Sequence, residues 1–188
     1  MKMASPVRFI SLALPLVVIW ACFPSHSAAI RFEKKADGAL VQSLCNESQD
    51  PDFCNRTLAT DPRVEAANMD GLALISISLT VDQVQTTSDS IASILGQISD
   101  PTGKQRIGVC QADYTDALGQ FRGAFSSSDA KAYWDVIDRV RDGTNKVIDC
   151  ENIYKRDPIS PSPISVDNHN VIKLSELTLI IVDKILPH

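Results

Sequence analysis

Residues 74–98 read LISISLTVDQVQTTSDSIASILGQI. Stepping by three and four, Leu74, Ile77, Val81, Val84, Ser88, Ile91, Leu95 and Ile98 form a series in which only Ser88 is polar. That is the spacing of a helix that buries one face. A strand pattern competes over the first turns, where Ile75, Ile77, Leu79 and Val81 alternate with Ser76, Ser78, Thr80 and Asp82. The alternation ends at Val81, whereas the helical spacing runs on to Ile98. The stretch is therefore assigned to one long helix.

Downstream the same period recurs between prolines. Asp100-Pro101 supplies an N-cap and a proline suited to the first helical position. Ile107, Cys110, Tyr114, Ala117 and Phe121 make the next seam, widened by Leu118 and Phe125. Ser126-Ser127-Ser128-Asp129 reads as a break that also caps a third helix. The apolar face of that helix is Tyr133, Val136, Ile137, Val140, Val147 and Cys150. Residues 157–163, DPISPSP, read as a stiff extended linker. The last helix carries Val171, Leu174, Leu177, Ile180, Ile181 and Ile185 and stops at Pro187. Four long helices with mostly short connections predict an all-α chain folded as an antiparallel up-down four-helix bundle. Upstream, residues 39–44 and 51–58 are too short to hold as helices alone in water. They predict a small helical hairpin, after which Asp61-Pro62 turns the chain into the bundle.

The chain opens with a basic start at Lys2 and Arg8, followed by the apolar run Phe9 to Phe23 and the small residues Ser25, Ser27, Ala28 and Ala29. The run falls short of the roughly 20 residues a membrane span requires, and it fits a secretory leader, residues 1–29. Four cysteines follow it: Cys45, Cys54, Cys110 and Cys150. An even number in an oxidising compartment implies two disulfides. Four cysteines allow three pairings, and the predicted topology selects one. Cys45 and Cys54 flank a short gap and clip the hairpin. Cys110 and Cys150 are centred on residue 130, next to the expected turn between the second and third bundle helices, so they sit at similar height in an antiparallel pair. Two sequons, Asn46-Glu47-Ser48 and Asn55-Arg56-Thr57, are candidate glycan acceptors.

The whole chain holds 18 basic and 23 acidic side chains. Without residues 1–29 the balance is 16 to 23, a net charge of −7. Gripping nucleic acid phosphates needs clustered positive charge, so a nucleic acid partner is excluded, as is a basic membrane-surface stripe. Catalytic chemistry is thin: beyond the leader only His169 and His188 are present, with no HExxH, phosphate-binding or calcium-loop motif. No cofactor and no metal are expected. Asp113 and Asp116 share one helix face, as do Asp135, Asp138 and Asp142. A pair of such carboxylates is the raw material of a glycosidase, but the interleaved Arg139 and Arg141 favour a solvated face. Trp134 falls outside its helix's seam and reads as the cover of a helix–helix edge, with an exposed partner contact as the alternative.

Four stretches in order carry a family resemblance. They are residues 45–54 (CNESQDPDFC), Asp61-Pro62-Arg63 followed by Asp70-Gly71-Leu72-Ala73, residues 110–118 (CQADYTDAL) and residues 150–154 (CENIY). Together they resemble the plant invertase and pectin methylesterase inhibitor family, including its pollen members, over residues 37 to 186. The resemblance implies a bundle with a disulfide-clipped N-terminal hairpin. It also implies a secreted protein inhibitor that blocks a cell-wall enzyme's cleft in a 1:1 complex, and no enzyme activity. Invertase-type members carry Pro-Lys-Phe at the start of the third bundle helix. Here Asp129-Ala130-Lys131-Ala132 keeps only the lysine, so pectin methylesterase is the expected target. Acid invertase and a non-inhibitory, allergen-like bundle are the alternatives.

The expected organisation is a leader (1–29), the hairpin (30–62) and the bundle (63–188), the last two forming one inhibitor domain in the apoplast, with the vacuole as the other destination. The exposed face of the second and third bundle helices, marked by Asp116, Asp135 and Asp138, is the expected partner-binding surface.

Overall fold

The computed structural model describes residues 38–187, all within one compact unit, Glu33–His188. The leader reading for 1–29 lies outside the described residues. Among the described residues every regular element is helical: α1 (Gly38–Asn46), α2 (Pro51–Leu58), a 3-10 turn (Pro62–Ala66), α3 (Met69–Gln97), α4 (Pro101–Asp129), α5 (Tyr133–Ile153) and α6 (Ser165–Ile185).

Local chemistry sets most of the starts. Asp50 accepts a hydrogen bond from the Phe53 amide at 2.9 Å with Pro51 as the first helical residue. Asn68 does the same for Gly71 at 2.8 Å, and Asp100 for Gly103 at 2.6 Å ahead of α3 and α4. Each cap satisfies an amide that the helix itself leaves unpaired. Three-residue turns at 98–100 and 130–132 reverse the chain, so α3 packs on α4, α4 on α5 and α5 on α6, while α6 closes back on α3. The result is the antiparallel up-down bundle.

The hairpin of α1 and α2 is clipped by the Cys45–Cys54 disulfide, with a Cα–Cα distance of 5.4 Å. Its Leu44 and Leu58 are buried in the bundle core, and polar contacts to α6 surround them. Lys173 Nζ meets Asp50 Oδ2 at 2.8 Å and stands over the Phe53 ring, Lys184 pairs with Glu47 at 2.9 Å, and Glu176 accepts the Gln49 amide. At the opposite end of the bundle Arg106 is buried under the α5–α6 connection. It donates to Ser160 Oγ at 2.8 Å and to the Arg156 carbonyl at 3.0 Å.

Several readings of the sequence need correction. The buried stripe of α3 keeps Ile77, Val84 and Ile91 but passes through Thr80 and Thr87 rather than Val81 and Ser88. Both hydroxyls donate back to their own helix, Thr80 to the Ser76 carbonyl and Thr87 to the Gln83 carbonyl, each at 2.8 Å. The methyl groups are then free to pack. The strand-like alternation has a helical cause: Leu72, Ala73, Ile75, Ser76 and Ile77 are all buried, because the start of α3 is enclosed on several sides. Residues 126–129 do not break α4; they form its last turn, and α5 starts at Tyr133 with no side-chain cap. The reversal falls at Lys131, in the left-handed region at φ 58°. Phe125, expected to widen the core face, is 40% exposed.

Candidate functional site

The α4–α5 pair is the most firmly held part of the bundle. At one end the Cys110–Cys150 disulfide brings the two backbones to 4.7 Å between Cα atoms, fully buried. Midway, Gly143 lets α5 approach the Phe121 ring of α4 so closely that a Cβ there would stand 2.9 Å from the ring. At the other end Asp70, in the first turn of α3, receives Lys131 Nζ and the Tyr133 hydroxyl, the latter at 2.6 Å. Burial works against the Asp70 charge, but these two donors outweigh it and hold the carboxyl below its ordinary range. The α4–α5 turn is thereby fastened to a third helix.

On the outer side of this pair the expected partner residues come together. Gln120, Asp135, Asp138, Arg139 and Asp142 line a shallow depression of about 320 Å³. Its neighbour, about 430 Å³, shares Gln120 and Arg139 and adds Asp116 and Lys146. Asp116 pairs with Lys146 at 2.9 Å, which raises the lysine's proton affinity. Arg139 lies across Gly123, where any Cβ would meet the guanidinium at 2.5 Å. Asp113 sits further along the same side of α4. Partial burial holds its carboxyl above the usual range, opposed by Lys146 and reinforced by Asp149 and Asp116, and its Oδ2 is buried with no hydrogen-bond partner. This face is rigid, predominantly acidic and laced with only a few cations. Among the described residues no group of three His, Cys, Asp or Glu is placed to hold a metal.

Trp134 does not cover a helix edge. It is 69% exposed at the start of α5, while its neighbour Tyr133 is buried. A second groove, about 550 Å³, was not apparent in the sequence. It runs between α5 and α6 over Ile137, Ile172, Leu179 and Ile180, with Arg141 and Glu176 at its rim. The signal for it was the surplus of apolar positions on α6 beyond one core stripe. Of the two sequons, Asn46 is exposed at the end of α1, and Asn55 lies within α2 with its Nδ2 donating to the Pro51 carbonyl at 2.8 Å.

The model of the family described as plant invertase/pectin methylesterase inhibitor matches residues 39–181. This chain belongs to that family. As a member of the plant invertase/pectin methylesterase inhibitor family it is of an inhibitor lineage and not an enzyme. It is 40% identical over 147 residues to pectinesterase inhibitor 5 of Arabidopsis thaliana, covering 77% of this chain and 82% of that protein. A pectinesterase inhibitor of Actinidia deliciosa is 28% identical over 150 residues, 78% of this chain and 80% of its own. The crystal structure of a mutant pectin methylesterase inhibitor from Arabidopsis shares the fold. It has a TM-score of 0.69 at 22% identity, covering 79% of this chain and 97% of that one.

The structure also gives a physical reason for the residues that carried the family likeness. Tyr114, fully buried, donates its hydroxyl to Asn168 Oδ1 at 2.7 Å. Asn168 in turn donates Nδ2 to Glu151 Oε2 at 2.6 Å, and Ser165 donates to the other Glu151 oxygen at 2.9 Å. Burial pushes the phenol's proton affinity up, so Tyr114 stays a donor at any physiological pH. The cysteine–tyrosine and cysteine–acid motifs thus build a satisfied polar knot beside the interhelical disulfide. They hold the fold.

Proposed function

We propose that this chain is a secreted protein inhibitor of pectin methylesterase, docking the acidic outer face of α4 and α5 on the enzyme in a 1:1 complex. The observation that carries the choice of target is the likeness to pectinesterase inhibitor 5 across most of both chains. The departure from Pro-Lys-Phe at Ala130-Lys131-Ala132 agrees with it. The choice of face rests on its shape and charge. A partner loses less entropy when it meets a surface already fixed, and here α4 and α5 are held by a disulfide, a glycine contact and the Asp70 tie. Asp116, Asp135 and Asp138 give that face a negative field suited to a basic partner. Two disulfides suit an oxidising compartment, in keeping with removal of residues 1–29 on secretion to the apoplast.

Side-by-side titration of pectin methylesterase and acid invertase with the oxidised protein tests the proposal. Stoichiometric loss of esterase activity with invertase unaffected is the expected result. Inhibition of invertase alone transfers the same architecture to the other target of the family, and inhibition of neither leaves a non-inhibitory bundle.

A further inference from the structure

We infer that Trp134 is the apolar anchor by which this chain seats on its target enzyme, entering an apolar recess flanked by basic side chains. The inference rests on the inhibitor reading above and adds to it the residue on which most of the affinity depends.

Among the described residues no other aromatic side chain is as open to solvent: Trp134 is 69% exposed and the next, Phe125, 40%. An indole of this size carries a large apolar area with a single polar atom, and such side chains, desolvated at the centre of an interface, dominate binding energies. Its position is also specific. At helical spacing Trp134, Asp138, Arg141 and Asn145 form the exposed ridge of α5. That ridge separates the acidic depression, to which Asp138 belongs, from the α5–α6 groove, to which Arg141 and Asn145 belong. Trp134 therefore heads the docking face already described, continuous with Asp135 and Asp138, whose charges select the basic flank of the recess.

The ring is presented on a fixed base. The preceding residue, Tyr133, is 8% exposed with its hydroxyl on Asp70 Oδ1, and Lys131 in the left-handed turn reaches the same carboxylate. The backbone that carries the indole is therefore set before the partner arrives, leaving two side-chain torsions to be fixed on binding. Val166, 75% exposed in the first turn of α6 at the far end of the bundle, is a small side chain that lines neither acidic depression.

The test uses the oxidised full chain and pectin methylesterase. Trp134→Ala is expected to weaken inhibition by about 30-fold or more, the scale of a hot-spot truncation, with an unchanged melting temperature. Trp134→Phe is expected to recover part of that loss, and Val166→Ala to change nothing. The chain has two tryptophans, Trp20 and Trp134. With 5-fluorotryptophan incorporated, the fluorine resonance missing from Trp134→Phe is expected to shift when unlabelled enzyme is added. A wild-type chain that inhibits while Trp134→Ala inhibits equally well overturns this inference alone, as does an unshifted resonance in the complex. Self-association that Trp134→Ala abolishes without changing inhibition assigns the ring to a second copy of the chain and also overturns it. A wild-type chain that inhibits no pectin methylesterase removes the inhibitor reading first, and this inference with it.

Discussion

Tyr133 and Asp70 stand 63 residues apart in the chain and 2.6 Å apart in space, joining the first turn of α5 to the first turn of α3. The same carboxylate takes Lys131, so one side chain closes the bundle end opposite the Cys110–Cys150 disulfide. Replacing Asp70 by Ala leaves a buried tyrosine hydroxyl without its acceptor. The expected cost is about 1–3 kcal/mol, the range for a hydrogen bond to a charged group with the orphaned partner included. Asp70→Asn keeps an acceptor for Tyr133 and loses only the charge, so it is expected to cost less. Urea unfolding of both variants, with Tyr133→Phe completing a double-mutant cycle, measures the coupling. Additive effects of the two substitutions rule the tie out as a stabilising contact.

Asp70 and Asp113 respond to pH in opposite senses. The Asp70 carboxyl is held below its ordinary value of 3.8, so its contribution to stability is complete above that pH and is lost as the pH falls through the folded-state value. Asp113 is raised by burial, so its ionisation opposes folding at neutral pH, and that cost disappears as the pH drops below the unfolded value. Asp113→Asn is therefore expected to be more stable than the parent at pH 7, by less than about 1 kcal/mol after solvent screening, and equal to it near pH 3. Asp70→Asn is expected to be less stable at pH 7, by a margin that shrinks as the pH falls below 3.8. Denaturant titrations at the two pH values check both signs.

The parts of this fold that were legible in the sequence are those fixed by local chemistry. Pro51–Leu58 was readable as a helix because Asp50-Pro51 opens it, and the α5 stripe from Tyr133 to Cys150 was readable because every buried position is apolar or small. The α3 stripe was half legible. Threonine counts as polar in any periodicity, and only the back-bonds to Ser76 and Gln83 make Thr80 and Thr87 fit for the interior. Residues 126–129 misled for the converse reason, since serine and aspartate favour caps in isolation, yet here they finish a helix whose reversal is fixed by Lys131 and a distant aspartate. The acidic α4–α5 face could be drawn from spacing alone. Trp134's place outside the seam left two readings, edge cover or exposed contact, and spacing alone did not choose between them.

The two disulfides differ in the loops they close, 9 residues for Cys45–Cys54 and 40 for Cys110–Cys150. The chain-entropy argument gives about 3 and about 4 kcal/mol respectively. The second is also embedded beside the Tyr114–Asn168–Glu151 knot, so its loss is expected to loosen those hydrogen bonds too. Cys110→Ser with Cys150→Ser is expected to reduce stability by more than Cys45→Ser with Cys54→Ser. The first pair of substitutions is also expected to raise amide exchange along α4 and α5, the second only in α1 and α2. Exchange confined to the hairpin in both variants contradicts the part given to the longer bridge in holding α4 to α5.

The charge on that face makes the last prediction, and it separates the face from the hairpin. Asp135 and Asp138 line one depression, and Asp116 lines the next, already half-neutralised by Lys146. If these carboxylates steer a basic enzyme into place, their loss acts mainly on the association rate and fades as salt shortens the reach of the field, to about 8 Å at physiological ionic strength. Asp135→Asn with Asp138→Asn is expected to slow association with pectin methylesterase by about tenfold at low salt. Asp116→Asn is expected to do less, and Asp52→Asn on the hairpin to have almost no effect. Stopped-flow binding across salt reads all of these. An association rate equally sensitive in the parent and the double variant moves the electrostatic contact off the α4–α5 face.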